Sequence, residues 1–185
     1  MRLWLIRHFE PDVASGVCYG QADLGLKESA VDRAHKVAVL RTQVPADAPV
    51  FSSPLRRCAE IAIRLSAKAR FDDRLQELNF GEWEMQTWDA IGAASLDAWA
   101  NDVAGFRPPG GETGYELQLR ALHWLQEIST HHEAAIVVAH AGVMRALQAH
   151  QQGLPGERWL DLRYDYGQLL ALEFTPEQIV AAPVQ

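Results

Sequence analysis

Two short runs of apolar residues, each of which leads to a histidine, constrain the fold most strongly. Residues 3–6 are followed by Arg7 and His8, and residues 135–139 are followed by His140. Continuous apolar runs of this length are typical of strands that are buried on both faces of a parallel sheet. Because ligands bind at the carboxyl ends of such strands, we expect His8 and His140 to lie close together.

The segments between these runs have the spacing of helices with one apolar face. They are residues 58–65, residues 117–128, about residues 27–42 and a segment that begins near Gly142. A late strand is predicted at residues 169–174. The alternation of strands and helices indicates an α/β fold. We predict a three-layer α/β/α sandwich with a mostly parallel central sheet flanked by helices.

Residues 72–110 have a less regular pattern than the rest of the chain. This stretch contains Trp83, Trp88 and Trp99, and it ends in the helix-breaking sequence Arg-Pro-Pro-Gly-Gly at residues 107–111. We interpret residues 72–110 as an irregular insertion that covers the active site. The chain has 185 residues, a length that fits one domain spanning residues 1–185.

The chain carries a net charge of −7, with a sequence pI of about 5.4. A negative field disfavours phosphate backbones and anionic membranes, so we expect neither nucleic acid nor a membrane as a partner. An anionic substrate must instead be held by a few cations in one pocket. Cys18 and Cys58 form no Cys-x-x-Cys pair, and residues 3–6 are too few for a signal peptide or a membrane span. We therefore expect a cytoplasmic protein, either a monomer or a homodimer.

A fixed cation and a titratable imidazole follow the first predicted strand directly, as Arg7 and His8. A neutral imidazole nitrogen can attack phosphorus, and a neighbouring guanidinium can bind two phosphate oxygens. An isolated Arg-His dipeptide could equally be a strand cap beside a solvated arginine. Other segments must therefore decide between these interpretations.

A second cationic segment follows the short apolar stretch at residues 50–51. Residues 52–54 (Ser-Ser-Pro) lead there into a helix with Arg56 and Arg57 in its first turn. Arginines at a helix N-terminus cost stability unless an anion binds there. After the second apolar run, the small residues at positions 141–142 let a ligand approach backbone N–H groups. Three separate segments thus indicate one anion-binding site.

Residues 75–84 contain three carboxylates, Glu77, Glu82 and Glu84, in an apolar and aromatic setting. Such a setting can raise the pKa of a carboxyl group and suit it to protonate a leaving alkoxide. Spacing alone does not distinguish the three, and each of them could be solvated or structural. The general acid therefore stays open at this point.

Five segments, in this order along the chain, resemble the histidine phosphatase superfamily, also called phosphoglycerate-mutase-like. They are residues 5–8, 52–57, 75–77 with 80–84, 110–113, and 138–142. The resemblance implies a phosphoglycerate-mutase-like fold and a phosphatase that passes through a phosphohistidine. It also implies the roles of individual residues: phosphorylation of His8, phosphoryl binding by Arg7, Arg57 and His140, and acid then base catalysis by Glu77.

The same resemblance implies no metal and no other cofactor. It leaves Arg56 at the helix surface or the rim of the site, Glu82 and Glu84 as solvated or structural, and Glu112 as a residue that orders the substrate rim. Backbone groups at Ala141 are implied to contact the substrate. The substrate class is a small phosphorylated molecule.

Residues 16–23 look like the corresponding loop of alpha-ribazole phosphatases, which remove phosphate from a cobalamin precursor. That narrower resemblance implies that Tyr19 or Gln21 contacts the substrate, and it makes alpha-ribazole 5′-phosphate of cobalamin biosynthesis the candidate substrate. The alternative interpretation is a plain surface loop bounded by glycines.

Several residues depart from the family pattern. Phe9 replaces a small residue, and Ala14 stands where mutase-type members carry a phosphate-contacting asparagine. Ile61 and Met85 replace a threonine and a glycine, which brings the packing of the helix and the shape of the substrate entrance into question. The Phe9 and Ala14 departures weaken a mutase assignment.

Four alternatives stay open beside the phosphatase. The chain could be a mutase-type phosphotransferase, or an inactive phospho-ligand binding protein in which Phe9 narrows the approach to His8. A zinc site could draw on the seven histidines, although no His-Glu-x-x-His motif occurs. A serine hydrolase is disfavoured because Ser52 and Ser53 lie outside any Gly-x-Ser-x-Gly motif.

Overall fold

The computed structural model describes residues 1–180, in which strands alternate with helices. The strands are β1 (Arg2–Arg7), β2 (Val50–Ser52), β3 (Arg70–Phe71), β4 (Ala134–Ala139) and β5 (Leu169–Glu173). The helices are α1 (Ala30–Arg41), α2 (Arg56–Leu65), α3 (Trp88–Ile91), α4 (Ala93–Asn101), α5 (Gly114–Ser129), α6 (Ala141–Gln152) and α7 (Pro176–Val180). Short 3-10 helices occupy Asp73–Leu75, Gly81–Trp83 and Gly156–Asp161.

The five strands form one sheet in the order β3-β2-β4-β1-β5. Strands β1 and β4 are parallel neighbours, paired from Arg2 opposite Ala134 to Arg7 opposite Ala139. Strand β2 is parallel to both β3 and β4, whereas β5 is antiparallel to β1. The mostly parallel sheet is therefore confirmed, and the two apolar runs are adjacent strands inside it.

Successive side chains of the central strands contribute to two different cores. Leu3 and Leu5 of β1 belong to a cluster with residues of α5 and α6. Ile6, one position further, belongs to a second cluster with residues of α1 and α2. Because side chains alternate across a strand, these clusters lie on opposite faces of the sheet. The three-layer α/β/α sandwich is thus confirmed.

Two of the departures from the family pattern lie in the second cluster. Phe9 is 2% exposed and Ile61 is fully buried, both among residues of α1 and α2. The Lys36 ammonium lies 5.2 Å from the centre of the Phe9 ring. Both side chains therefore pack as ordinary core residues.

Helix boundaries follow local capping, which shifts them from the positions that periodicity predicted. Helix α1 begins at Ala30 because the Ser29 hydroxyl accepts a hydrogen bond from the Asp32 N–H. Helix α5 begins after Thr113, which forms a reciprocal capping box with Glu116. Within residues 72–110 the chain forms two 3-10 helices and the helices α3 and α4.

No helix within residues 1–180 is long and apolar enough to cross a bilayer.

Met85 has a positive φ of 66°, and no other non-glycine residue of the described chain has one. Its side chain is 53% exposed, so the residue contributes little packing. A Cβ in this conformation costs about 1–2 kcal/mol. Replacement by glycine removes that cost, but part of the gain is lost because glycine has more conformational entropy in the unfolded chain. We expect Met85→Gly to raise the free energy of unfolding by roughly 0.5–1 kcal/mol in urea denaturation.

Met85→Ala is the matched control, because alanine removes the long side chain but keeps the Cβ. It should show no gain in stability. Equal stabilisation by glycine and alanine would show that backbone strain is not the cause.

Candidate active site

His8 lies directly after β1 and is 1% exposed. Its Nδ1 atom is 2.6 Å from the carbonyl oxygen of Phe9. A carbonyl can only accept a hydrogen bond, so Nδ1 carries the proton and Nε2 keeps its lone pair. Burial, followed by the positive charge of Arg57 and then of Arg7, lowers the pKa of His8 to about 3. The imidazole is therefore neutral at pH 7 and offers Nε2 as a nucleophile.

His140 lies directly after β4, at the N-cap of α6, and is fully buried. Its ring centre is 5.2 Å from that of His8, which confirms that the two strand ends bring the histidines together. The His140 Nε2 atom lies 2.9 Å from the Ser53 hydroxyl. Burial, with the positive charge of Arg57, keeps the pKa of His140 well below its ordinary value. Both imidazoles thus face one positive field.

Arg57 and Arg7 supply that field. Fully buried Arg57 donates to the backbone carbonyls of Ala22 (2.7 Å) and Gly20 (2.6 Å), and Arg7 donates to that of Tyr164 (2.6 Å). The Nε atoms of both arginines are buried without a hydrogen-bond partner among residues 1–180. No carboxylate of the described chain forms an ion pair with either guanidinium.

One buried and one partly buried guanidinium group without a carboxylate partner are an unfavourable arrangement in an empty protein. Backbone carbonyls fix the position of the groups, but they cancel only part of the charge. An anion bound between them would use both charges and the unpaired Nε groups. The chain has a net charge of −7, so this pocket concentrates positive charge against the overall field.

Two tyrosines lie beside His8. Its ring centre is 6.4 Å from that of Tyr19 and 5.6 Å from that of Tyr166, and the two hydroxyl oxygens are 3.1 Å apart. The guanidinium carbon of Arg7 lies 4.0 Å from the Tyr166 ring centre, and that of Arg57 lies 5.2 Å from the Tyr19 ring centre. Burial raises the pKa of Tyr19, so its hydroxyl stays protonated. Both rings therefore flank the anion pocket.

Glu77 lies at the N-terminus of α6, beside the histidine pair. Its carboxylate accepts hydrogen bonds from the N–H groups of Leu78 (2.9 Å) and Gly142 (3.2 Å). A Cβ on residue 142 would overlap the Oε1 atom of Glu77. The absence of a side chain at Gly142 therefore lets the carboxylate lie against the helix end.

A network of polar side chains holds the loop that contains Glu77. Arg120 donates to three carbonyls within residues 74–77 and pairs with Glu112 at 2.7 Å. Glu112 also accepts the N–H of Asn79 at 2.9 Å. The Gln21 amide donates to the Glu77 carbonyl at 3.0 Å. Glu112 and Gln21, both predicted near the substrate, thus lie where they order the Glu77 loop.

Glu84 holds the loop at residues 20–22. Its carboxylate accepts the N–H groups of Gln21 (2.8 Å), Ala22 (2.7 Å) and Phe80 (3.1 Å). The same loop presents the carbonyls that bind Arg57. Glu84 is therefore structural, as the sequence interpretation holds.

The remaining predicted residues lie at the edges of the site. Glu82 and Arg56 are exposed, and the Arg56 N–H donates to the Asp23 carboxylate at 2.7 Å, which caps α2. Ala141 is the first residue of α6, directly after His140, and is partly buried. Within residues 1–180 no group of three or more His, Cys, Asp and Glu side chains is arranged to hold a metal ion.

Sequence reasoning missed Tyr166, Arg120 and Arg145, the last of which lines a cavity beside Glu77. Tyr166 precedes β5 in a loop without any motif. Arg120 lies on α5, where the apolar spacing predicts only the buried face of the helix, and Arg120 is not on that face. Arg145 follows His140 by five residues, so its position on the helix of a recognised motif was the available signal.

Comparison with known proteins agrees with this geometry. The sequence profile of the histidine phosphatase superfamily (branch 1) matches residues 3–184. An adenosylcobalamin/alpha-ribazole phosphatase from Escherichia coli (strain K12) is 31% identical over 177 residues, covering 90% of this chain and 87% of the relative. A glucosyl-3-phosphoglycerate phosphatase from Mycolicibacterium vanbaalenii is 30% identical over 176 residues, covering 85% of this chain and 77% of the relative.

A solved structure of a phosphatase is similar to this chain in fold. The crystal structure of the alpha-ribazole phosphatase from Shigella flexneri has a TM-score of 0.81 and 28% identity, covering 96% of this chain and 92% of that one. The chain therefore belongs to the histidine phosphatase superfamily, which confirms the resemblance of its five segments. It is an enzyme of the phosphatase class, and its relatives act on more than one substrate.

The buried histidines predict a pH dependence of stability. The pKa of His8 is about 3 in the folded protein, against an ordinary value of 6.5. Below about pH 6.5 the unfolded chain binds a proton that the folded chain does not, so stability falls toward pH 3 by about 1.4 kcal/mol per unit for each such histidine. We expect His8→Gln to reduce this slope by one proton in urea denaturation between about pH 6 and pH 4.5.

The exposed His123 provides the control, since His123→Gln should leave the slope as it is in the wild type. If the free energy of unfolding changed with pH equally in His8→Gln and the wild type, His8 would bind its proton equally in the folded and unfolded states.

Gly142 provides a second test, through the position of the Glu77 carboxylate. Because the added Cβ overlaps Oε1, Gly142→Ala should displace the carboxylate and lower kcat on an alkyl phosphate by about tenfold or more. The loss should nearly vanish when Gly142→Ala is made in a Glu77→Gln background, since the two changes act on one group. Full activity of Gly142→Ala with 3-phosphoglycerate, or additive losses, would contradict this account.

Proposed function

We propose that the chain is a phosphomonoester hydrolase that forms a phosphohistidine at His8 and acts on a small phosphorylated metabolite. The observation that supports this most directly is the neutral Nε2 atom of His8 beside the guanidiniums of Arg57 and Arg7, neither of which has a carboxylate partner within residues 1–180. Such a site is suited to bind a dianion and to attack it.

In the first step, Arg7, Arg57 and His140 hold the phosphoryl oxygens while His8 Nε2 attacks phosphorus. The nitrogen–phosphorus bond forms as the bond from phosphorus to the alcohol oxygen breaks. Glu77 in its protonated form donates a proton to the departing oxygen, so the alcohol leaves neutral. The backbone N–H groups at Ala141 and Gly142 add positive potential from the N-terminus of α6.

In the second step, water attacks the phosphohistidine and Glu77, now ionised, accepts a proton from that water. Inorganic phosphate leaves, and the imidazole regains its lone pair. Ala14 supports hydrolysis over a mutase, because a methyl group cannot donate the hydrogen bond with which mutase-type asparagines hold phosphate. The Phe9 ring packs in the core, so the proposal needs no loss of activity at that position.

For the substrate, we propose alpha-ribazole 5′-phosphate, which would place the enzyme in cobalamin biosynthesis in the cytoplasm. Relatives named for this activity in E. coli and S. flexneri support the choice, together with the loop at residues 16–23. Relatives named glucosyl-3-phosphoglycerate phosphatase supply the competing substrate. Hydrolysis of both esters by purified protein, compared as kcat/KM, decides between them.

The acid role of Glu77 predicts a dependence on the leaving group. We expect Glu77→Gln to lower kcat/KM by about a hundredfold or more on alpha-ribazole 5′-phosphate, but by about tenfold or less on p-nitrophenyl phosphate. The reason is that p-nitrophenolate is stable without a proton, whereas an alkoxide is not. Equal losses on both esters would count against Glu77 as the acid.

His8→Ala is the matched variant for the nucleophile. It should abolish both hydrolysis and the acid-labile phosphoprotein that rapid quenching of the wild type with a labelled ester would trap. Glu77→Gln should still form the phosphoprotein from p-nitrophenyl phosphate. Turnover by His8→Ala at the wild-type rate would overturn the proposed mechanism.

A further inference from the structure

A cavity of about 140 Å³ lies beside Glu77 and does not include Arg7 or Arg57 in its lining. It is lined by Glu77 and Gly142 at one end, by Arg145 of α6, and by aromatic side chains from other segments. A cavity of about 150 Å³ is large enough to hold one benzene ring. The space therefore matches a single aromatic ring.

The aromatic lining comes from segments that are distant in the sequence. Trp88 of α3 and Trp99 of α4 are stacked, with centres 6.3 Å apart and planes 16° apart. Phe80 meets both of them edge-on, and Trp159 closes another wall. Flat apolar walls of this kind favour a flat ring over a flexible or strongly hydrated group.

A cation without an anionic partner also lines the cavity. Arg145 makes one hydrogen bond, from Nε to the Leu162 carbonyl at 3.2 Å, and no ion pair with any carboxylate of residues 1–180. Burial lowers the pKa of Arg145. Unpaired buried donors are costly unless a ligand supplies acceptors.

The position of the cavity relates it to the reaction. Glu77 and Gly142 both line it, and Gly142 follows His140 by two residues on α6. The residue proposed to protonate the departing oxygen therefore lines the cavity, so a group attached to that oxygen can enter it.

We propose that this cavity binds the alcohol portion of the substrate through a flat aromatic ring that carries a hydrogen-bond acceptor, and that Arg145 selects that acceptor. The inference rests on the proposed function for the placement of the phosphate. It assigns Arg145 as a specificity-determining residue and the pair Trp88 and Trp99 as the wall of the ring subsite.

The test compares phenyl phosphate with 3-carboxyphenyl and 4-carboxyphenyl phosphate. A charge-assisted hydrogen bond to Arg145 should make kcat/KM of the wild type about tenfold higher for at least one carboxylated ester than for phenyl phosphate. In Arg145→Met, which keeps the apolar stem, this ratio should fall to about one. In Arg145→Lys, which keeps the charge without the planar fork, it should fall only in part.

Arg158→Met is the matched control, because Arg158 is a half-exposed arginine paired with Asp161 at 3.0 Å and lies outside the cavity lining. It should leave the ratio at the wild-type value. A wild type without preference for either carboxylated ester, or an Arg145→Met variant that keeps the preference, overturns the inference while the phosphatase proposal stands.

A different outcome separates the two proposals. If the wild type hydrolyses none of the three esters and neither alpha-ribazole 5′-phosphate nor p-nitrophenyl phosphate, the proposed function fails, and the cavity is then tested by binding alone. Trp88, Trp99 and Trp159 should report 3- or 4-hydroxybenzoate by a change in fluorescence at concentrations about tenfold lower than phenol requires. Loss of that difference in Arg145→Met supports the subsite, and equal binding of hydroxybenzoate and phenol by the wild type overturns it.

Discussion

The active site depends on a buried positive charge, Arg57, and a partly buried one, Arg7, that the described chain leaves without a negative partner. Arg57 and Arg7 are held by backbone carbonyls, which fix the direction of each guanidinium but cancel little of its charge. The residual field, together with burial, keeps His8 and His140 neutral. One arrangement therefore attracts the anion and also keeps the attacking nitrogen unprotonated.

Carboxylates near the site are used mainly to shape loops, and so they do not quench this field. Glu84 accepts three backbone N–H groups and fixes the loop whose carbonyls bind Arg57. Glu112 pairs with Arg120, which fixes the loop of Glu77 from the other side. The Glu77 carboxylate lies against the N-terminus of α6, where it accepts the N–H of Gly142, two residues after His140. Position in the fold separates carboxylates that look alike in the sequence.

The sequence was sufficient where a local pattern determines a local structure. Apolar runs predicted β1 and β4, and the end of each run placed His8 and His140 together. It was insufficient where the determinant is a packing partner or a cap. The start of α1 depends on the Ser29 hydroxyl, and Tyr166 reaches His8 only because β5 pairs with β1. Neither relation leaves a periodic signal.

The phosphate site and the neighbouring cavity are built from different structural elements, so substrate specificity can vary while the catalytic residues stay in place. The phosphate contacts come from the ends of β1 and β4 and from the first turn of α2, which the sheet fixes in place. The cavity beyond Glu77 is walled by α3, α4 and a 3-10 helix, and these can change without moving His8. Relatives with similar folds accordingly bear the names of different substrates. Helix α6 joins the halves, because its N-terminus meets the anion pocket and Arg145 faces the cavity one turn later.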